Sequence, residues 1–409
     1  MDLQLKKSTL KSGEKITISG SKSESNRLLI LQQIFPEINI KNLSNSDDSI
    51  HLEHALTTSD ETVDIGHAGT AMRFLTGFFA AQKGKTKIIK GSERMHNRPI
   101  KILVDALRDL GADITYLEKD GYPPIKIVGQ ELTKDTVSIN GNVSSQYISS
   151  LMLTAPSLTN GLEINLVGKV TSIPYINMTL SLLHQIGITA SFNGNVIKVE
   201  AKKTVTKQDV MVEADWSSAS YPYSLIALAP VNTTIELSIY KKESLQGDSC
   251  LADIYKHFGV ETVFGDHTIT LTKVEEHNPD TLVLDLKNAP DIAQTIAVTC
   301  FGLGIACDLS GLHTLKIKET DRLEALKAEL SKLGASIDVT NETLHLQTAA
   351  SITENVNIAT YNDHRMAMAF APLALKTNIN IINAEVVTKS YRNFWKDFQK
   401  VGIQQSETK

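Results

Sequence analysis

Lys318-Glu319-Thr320-Asp321-Arg322 places two cations and two carboxylates directly ahead of an amphipathic helix. Its apolar positions, Leu323, Leu326, Leu330 and Leu333, recur at i, i+3, i+7 and i+10, and Gly334 closes it. A helix start presents unpaired backbone N–H groups and the positive end of the macrodipole, so flanking cations make it an anion site. A carboxylate held among those cations is placed to move a proton beside a bound anion.

Similar polar clusters open other helices. Lys22-Ser23-Glu24-Ser25-Asn26-Arg27 begins the first, where Ser21 and Glu24 have capping-box spacing. Arg94-Met95-His96-Asn97-Arg98-Pro99 precedes another, with Pro99 suited to a first helical turn. Ser144-Ser145-Gln146 offers uncharged donors, Asn362-Asp363-His364-Arg365 adds a cation, and Lys389 stands before the last helix. Taken singly, Ser and Asp in such places act as caps. Their recurrence points further. If the helix starts converge, Lys22, Arg27, Arg98, Lys318, Arg322, Arg365 and Lys389 build a basic cleft for a multiply anionic small molecule, with Asp291 and Glu319 as its carboxylates. His51 and His54 have helical metal-ligand spacing but no third ligand, which fits surface histidines.

An internal repeat must position these clusters. Amphipathic helices end at Gly111, Gly187, Gly259, Gly334 and Gly402, which are 76, 72, 75 and 68 residues apart. Glycine after a helix takes the left-handed conformation that other residues resist. A second, more apolar helix type starts near Gly69, Ser144, Ser217, Asp291 and His364, at steps of 75, 73, 74 and 73. Short β-prone runs such as 87–90, 161–167 and 234–240 fill the gaps. Six copies of a βαβαββ-like unit account for the length. The second helix type is expected inside each domain with sheets outside. The apolar run 292–307, which contains Cys300 and Cys307, reads as one buried helix and is too short for a membrane span.

The 409-residue length suggests two domains, and 42% hydrophobic with 21% charged residues describes a globular chain. A net charge of −5 argues against nucleic-acid binding, though not against a local basic cleft. Three cysteines without a C-x-x-C pair fit a reduced compartment. Residues 1–20 lack the apolar core of a targeting signal.

Read together, these motifs resemble the 5-enolpyruvylshikimate-3-phosphate synthase family of enolpyruvyl transferases, essentially end to end. The likeness rests on Ser21 to Arg27, Ala68-Gly69-Thr70-Ala71-Met72-Arg73, Arg98-Pro99, Ser144-Ser145-Gln146, Lys318 to Arg322 and Asn362-Asp363-His364-Arg365, all in the family's order. It implies an α/β, two-domain enolpyruvyl-transferase fold, each domain built from three repeated βαβαββ-like units with buried helices and outer sheets. The domains implied are residues 21–213, and residues 1–20 with 214–409, with the site in the interdomain cleft. The activity implied is transfer of the enolpyruvyl group of phosphoenolpyruvate to the 5-hydroxyl of shikimate 3-phosphate, releasing phosphate, on the route to chorismate and aromatic amino acids. Asp291, Glu319 and Lys22 would be catalytic. Lys22, Ser23, Arg27, Ser144, Ser145, Gln146, Ser172, Tyr175, Asp291 and Lys318 would bind shikimate 3-phosphate. Lys22, Gly69, Arg98, Gln146, Arg322, Arg365 and Lys389 would bind phosphoenolpyruvate. No metal or other cofactor, no nucleic acid and no membrane is implied, and a bacterial, cytoplasmic monomer is the expectation.

Two departures stand out. Phe74 occupies a position that is often proline in the family, and Thr314 one that is asparagine in some members. Gly69 leaves the phosphoenolpyruvate pocket uncrowded, so inhibition by glyphosate is expected, with Phe74 able to shift it. The nearest rival is the sister enolpyruvyl transferase acting on UDP-N-acetylglucosamine. It typically has asparagine after the first lysine and a loop cysteine, where this chain has Ser23 and no cysteine between residues 91 and 99. A non-catalytic binder of an anionic metabolite is the other alternative, and the carboxylates Asp291 and Glu319 argue against it.

Overall fold

The structure is a computed structural model that describes residues 1–171, 173–276 and 279–408. Alternating apolar residues make strands with one covered face. In strand Thr268–Lys273, Ile269, Leu271 and Lys273 are buried while the residues between them are half-exposed. Lys273 is tolerated there because its Nζ donates to the carbonyls of Ala227 and Phe258 at two helical ends (3.1 and 2.8 Å) and pairs with Glu276 at 3.4 Å. Burial lowers its pKa.

Five of the six sheets among the described residues share one order, a parallel pair followed by an antiparallel pair. Thr62–Asp64 runs parallel to Thr86–Lys90, with helix Gly69–Ala80 between them. Ile125–Val128 then joins antiparallel, and Asp113–Tyr116 closes the edge. A parallel pair needs a crossover, and the buried helix supplies it. The sixth sheet is a parallel pair, Ile38–Lys41 with Gln208–Met211.

The chain folds into two compact units, Gly20–Val212 and Met1–Ser19 with the residues from Glu213 onward. Each holds three sheets. Pairing explains why the N-terminal segment belongs with distant residues. Asp2–Leu5 lies between Ile379–Ile382 and Gln405–Thr408, and Glu14–Ile16 runs parallel to Thr234–Ser238.

The apolar helix type is buried on nearly every side. All residues of Gly69–Ala80 and His364–Phe370 are buried, as are all of Trp216–Leu228 except Ser217. Helices covered all round belong to a core, with the sheets as its outer layer.

Three local expectations change. The run 292–307 is helical only over Ala293–Leu303; Gly304 turns the chain at φ +72, and Cys307 lies on strand Ala306–Ser310. The apolarity is the same because helix and strand feed one core, so composition did not separate them. Pro99 precedes the cap Ile100 of helix Lys101–Asp109 rather than entering its first turn. Its carbonyl instead accepts from Arg73 and Tyr147. The helix before Gly259 is one α turn, Leu251–Ile254, tightening into the 3-10 turn Tyr255–Phe258.

Gly259 and Gly334 both follow helices at positive φ, +69 and +101. A Cβ at Gly259 would lie 2.0 Å from the Glu275 carbonyl oxygen, whereas one at Gly334 would meet nothing nearer than 3.6 Å. Gly334→Ala should therefore cost about 1–2 kcal/mol for the left-handed backbone alone, and Gly259→Ala clearly more. Urea unfolding midpoints measure both, and equal shifts would contradict this packing.

Candidate active site

In the unit Gly20–Val212, four helix starts carry the expected residues. Ser21 caps Lys22–Ile34 by accepting the Glu24 N–H at 3.4 Å, half of a capping box. Lys22 pairs with Asp48 at 3.3 Å, on the first turn of helix Asp47–Thr57.

Arg27 is buried and reaches three other helices. Its Nε donates to Thr179 at 2.8 Å and one terminal nitrogen to Ser149 at 3.0 Å. The other donates to the Ser23 carbonyl at 2.8 Å. The guanidinium lies 5.4 Å from the Phe74 ring centroid and 5.9 Å from that of Tyr175. These partners are neutral, and burial lowers the pKa of Arg27 to about 10. A buried cation stays charged there only because hydroxyls, carbonyls and ring faces replace its water.

Gly69, the first residue of its helix, sits under Arg98. A Cβ there would lie 2.4 Å from an Arg98 guanidinium nitrogen. Arg73 holds that loop by donating to the Pro99 carbonyl at 2.9 Å, joined by the Tyr147 hydroxyl at 2.6 Å. Ser144 caps Ser145–Thr154, and Gln146 on its first turn donates to Thr70 at 3.1 Å. Arg27 thus gathers Ser23, Phe74 and Tyr175, Gln146 is tied to Thr70 at the start of helix Gly69–Ala80, and Arg98 lies close to Gly69. Ser172 lies outside the described residues.

The second cluster, in the other unit, is centred on Arg322, the first residue of helix Arg322–Lys332. Its guanidinium donates to Asp291 at 2.9 Å, Glu319 at 2.8 Å and Asp363 at 2.7 and 3.4 Å. These bonds use four of its five N–H groups, and the side chain is 2% exposed. Burial alone would lower its pKa, but Asp363, Glu319 and Asp291 more than offset this and raise it. Asp291, on the short turn Pro290–Ile292, also meets Lys318 at 3.4 Å and Arg365 at 3.2 Å. Three cations thus converge on one carboxylate.

Asp363 does double duty, since it also caps His364–Phe370 by accepting the Arg365 N–H at 2.8 Å. Lys389 ends the 3-10 turn Ala384–Lys389 and donates to the Asn362 carbonyl. The Thr314 hydroxyl is buried with no hydrogen-bond partner among the described residues.

Sequence reasoning missed Asp48, Asp248 and the second function of Asp363. Asp48 left a faint signal, an acidic first turn after the Ser46 cap. Asp248 left none. It is buried, accepts a short hydrogen bond from the Ser217 hydroxyl, and Arg365 donates to that same hydroxyl at 3.3 Å. Burial first, then the charge of Asp291, pushes Asp248 up to about 6.

A family model described as EPSP synthase (3-phosphoshikimate 1-carboxyvinyltransferase) matches residues 51–398. The 3-phosphoshikimate 1-carboxyvinyltransferase of Bacteroides fragilis (strain YCH46) is 43% identical over 392 residues, 95% of this chain and 95% of that one. That of Haemophilus influenzae (strain PittEE) is 34% identical over 421 residues, 94% of this chain and 96% of that one. The 2.37 Å structure of the Acinetobacter baumannii EPSP synthase superposes with a TM-score of 0.82, over 99% of this chain and 100% of that one. At 19% identity this is a likeness of fold.

Asp248 makes stability depend on pH. Its folded pKa, about 6, lies above the ordinary aspartate value of 3.8, so its contribution is greatest below roughly pH 4 and is lost as pH rises through 6. Asp248→Asn cannot titrate. Relative to wild type, the variant should gain about 2 kcal/mol between pH 4 and pH 7. Chemical denaturation at both pH values measures the difference, and a constant offset would exclude this titration.

Proposed function

Because the chain belongs to the EPSP synthase (3-phosphoshikimate 1-carboxyvinyltransferase) family, we infer that it transfers the enolpyruvyl group of phosphoenolpyruvate to the 5-hydroxyl of shikimate 3-phosphate and releases phosphate. This is a step of the shikimate pathway. The observation that carries the reading is 43% identity across 95% of the chain. The two clusters support it, since each gathers cations at helix starts for anionic substrates, and one adds carboxylates for proton transfer.

The chemistry has two halves. The 5-hydroxyl oxygen bonds to C2 of phosphoenolpyruvate as it loses its proton, and the methylene carbon gains one, giving a tetrahedral ketal phosphate. Loss of a methyl proton and cleavage of the C2–O phosphate bond then restore the enol ether. Asp291 and Glu319 are proposed to carry these protons, with Lys22 sharing the step at the 5-hydroxyl. Arg27 and Ser23 hold the shikimate carboxylate. Ser144, Ser145, Ser172 and Lys318 hold the 3-phosphate or hydroxyls, with Gln146 and Tyr175 beside the ring. Lys22, Arg98, Arg322, Arg365 and Lys389 take phosphoenolpyruvate, which Gly69 and Gln146 border. Three free cysteines suit a reducing cytoplasm, and no helix among the described residues is long and apolar enough to cross a membrane. A single chain is proposed to act alone.

Phosphate release from phosphoenolpyruvate tests the reading, with shikimate 3-phosphate, with UDP-N-acetylglucosamine, and with neither. Dependence on shikimate 3-phosphate is expected; release only with the nucleotide sugar, or uptake of both substrates without release, would overturn it. Asp291→Ala should lower kcat by about 10²–10⁴-fold while shikimate 3-phosphate binding stays within about tenfold of wild type, and equal losses would remove its proton role. Glyphosate should inhibit at millimolar concentration or below. Gly69→Ala should weaken that inhibition and raise the KM for phosphoenolpyruvate together, because the added methyl group displaces Arg98.

A further inference from the structure

Tyr361 and Asn362 are the only consecutive non-glycine residues with left-handed backbone among the described residues, at φ +53 and +54. Asparagine enters this region readily, but a bulky aromatic residue does so only when its surroundings hold it there. The pair lies immediately before Asp363, His364 and Arg365, and it turns the Asn362 carbonyl toward Lys389 Nζ.

What holds the pair is a buried carboxylate. Glu329 lies on helix Arg322–Lys332, seven residues beyond Arg322 and so on the same face. One of its oxygens accepts the Tyr361 hydroxyl at 2.6 Å, and the other accepts the Ala359 N–H at 3.0 Å. Lys332 balances its charge at 2.6 Å. Burial first, then the hydrogen bond to Glu329, pushes the Tyr361 phenol up to about 12, so it remains a donor throughout the working pH range. The strand end and the kink are therefore tied to one helix at two points two turns apart, Glu329 behind the kink and Arg322 ahead of it at Asp363.

We propose that Glu329 and Tyr361 are positioning residues that, through the strained Tyr361–Asn362 kink, aim the Asn362 carbonyl at Lys389 and so fix its ammonium group where phosphoenolpyruvate is bound. This deepens the functional reading above and rests on the role given there to Lys389. If the anchor is cut, the kink relaxes toward ordinary negative φ, the carbonyl rotates, and the Lys389 side chain spreads over its rotamers. Neither anchor residue need touch substrate for this to weaken phosphoenolpyruvate binding.

Kinetics and lysine labelling test the idea together. Tyr361→Phe and Tyr361→Ala should raise the KM for phosphoenolpyruvate by about fivefold to tenfold, with the KM for shikimate 3-phosphate changed less than about twofold. Tyr361→Gly, although the larger deletion, should do less damage than Tyr361→Ala, because glycine adopts the required φ unaided. Glu329→Gln should follow Tyr361→Phe. In a Lys389→Met background Tyr361→Ala should add nothing further, the mark of an effect that passes through Lys389. A rise in both KM values in step with a lower Tm, or additive effects in the double variant, would reduce Glu329 and Tyr361 to scaffolding and overturn the proposal.

The second readout needs no turnover. Lys389 acylation by a small amine-reactive ester, followed by mass spectrometry, should accelerate several-fold in Tyr361→Ala and return toward the wild-type rate in Tyr361→Gly. An unchanged rate would sink the proposal. If wild-type protein releases no phosphate from phosphoenolpyruvate, the functional reading fails by itself, while the labelling still decides whether Glu329 and Tyr361 hold Lys389.

Discussion

Arg322 sits out of water with carboxylates from three stretches of chain on its nitrogens, Asp291 before it, Glu319 beside it and Asp363 well after it. A buried guanidinium is tolerable only if charge and hydrogen bonds replace its hydration, and each carboxylate is equally dependent on the cation. The arrangement is therefore mutually enforcing. It fixes the start of helix Arg322–Lys332, the turn Pro290–Ile292 and the cap of helix His364–Phe370 against one another. Lys318 and Arg365 add to the same Asp291 carboxylate, so this cluster is organised around one ion-pair network.

The other unit handles a buried cation differently. Arg27 is held by hydroxyls, carbonyls and two aromatic rings, and burial lowers its pKa. In one unit the cations are neutralised by carboxylates of the same network, among them Asp291 and Glu319, the residues proposed for proton transfer. In the other, Lys22 is paired with Asp48 while the hydrogen-bond partners of Arg27 are neutral. Such a division suits a reaction that must both grip anions and move protons.

Phe74 shows how the reading of one residue changes in space. From its place after Met72 and Arg73 it bears on the phosphoenolpyruvate pocket. In the fold its buried ring faces Arg27, the residue proposed above for the shikimate carboxylate, so on that proposal it bears on the other substrate as well. Pro99 is a similar case, with a carbonyl that anchors Arg73 and Tyr147 rather than a ring that starts a helix.

Several features were legible from the chain alone because their causes are local. The repeat shows in glycines such as Gly259 and Gly334, which only a left-handed helix end requires, and helix Lys22–Ile34 follows from its Ser21 cap and its apolar spacing. Ordered motifs such as Lys318 to Arg322 sufficed to point to the family, which the relatives bear out. The partners of those residues depended on tertiary structure. Asp363 reaches Arg322 across 41 positions, Asp248 meets Ser217 across 31, and Arg27 meets Thr179 across 152. No periodicity encodes such pairings, because they depend on which buried groups lack water and must find one another. For the same reason composition did not separate helix from strand around Cys307, where both bury the same kind of side chain in one core. Residue types and local geometry thus belong to the sequence. Which charges neutralise one another, and which are left for a ligand, was decided only when folding removed the solvent.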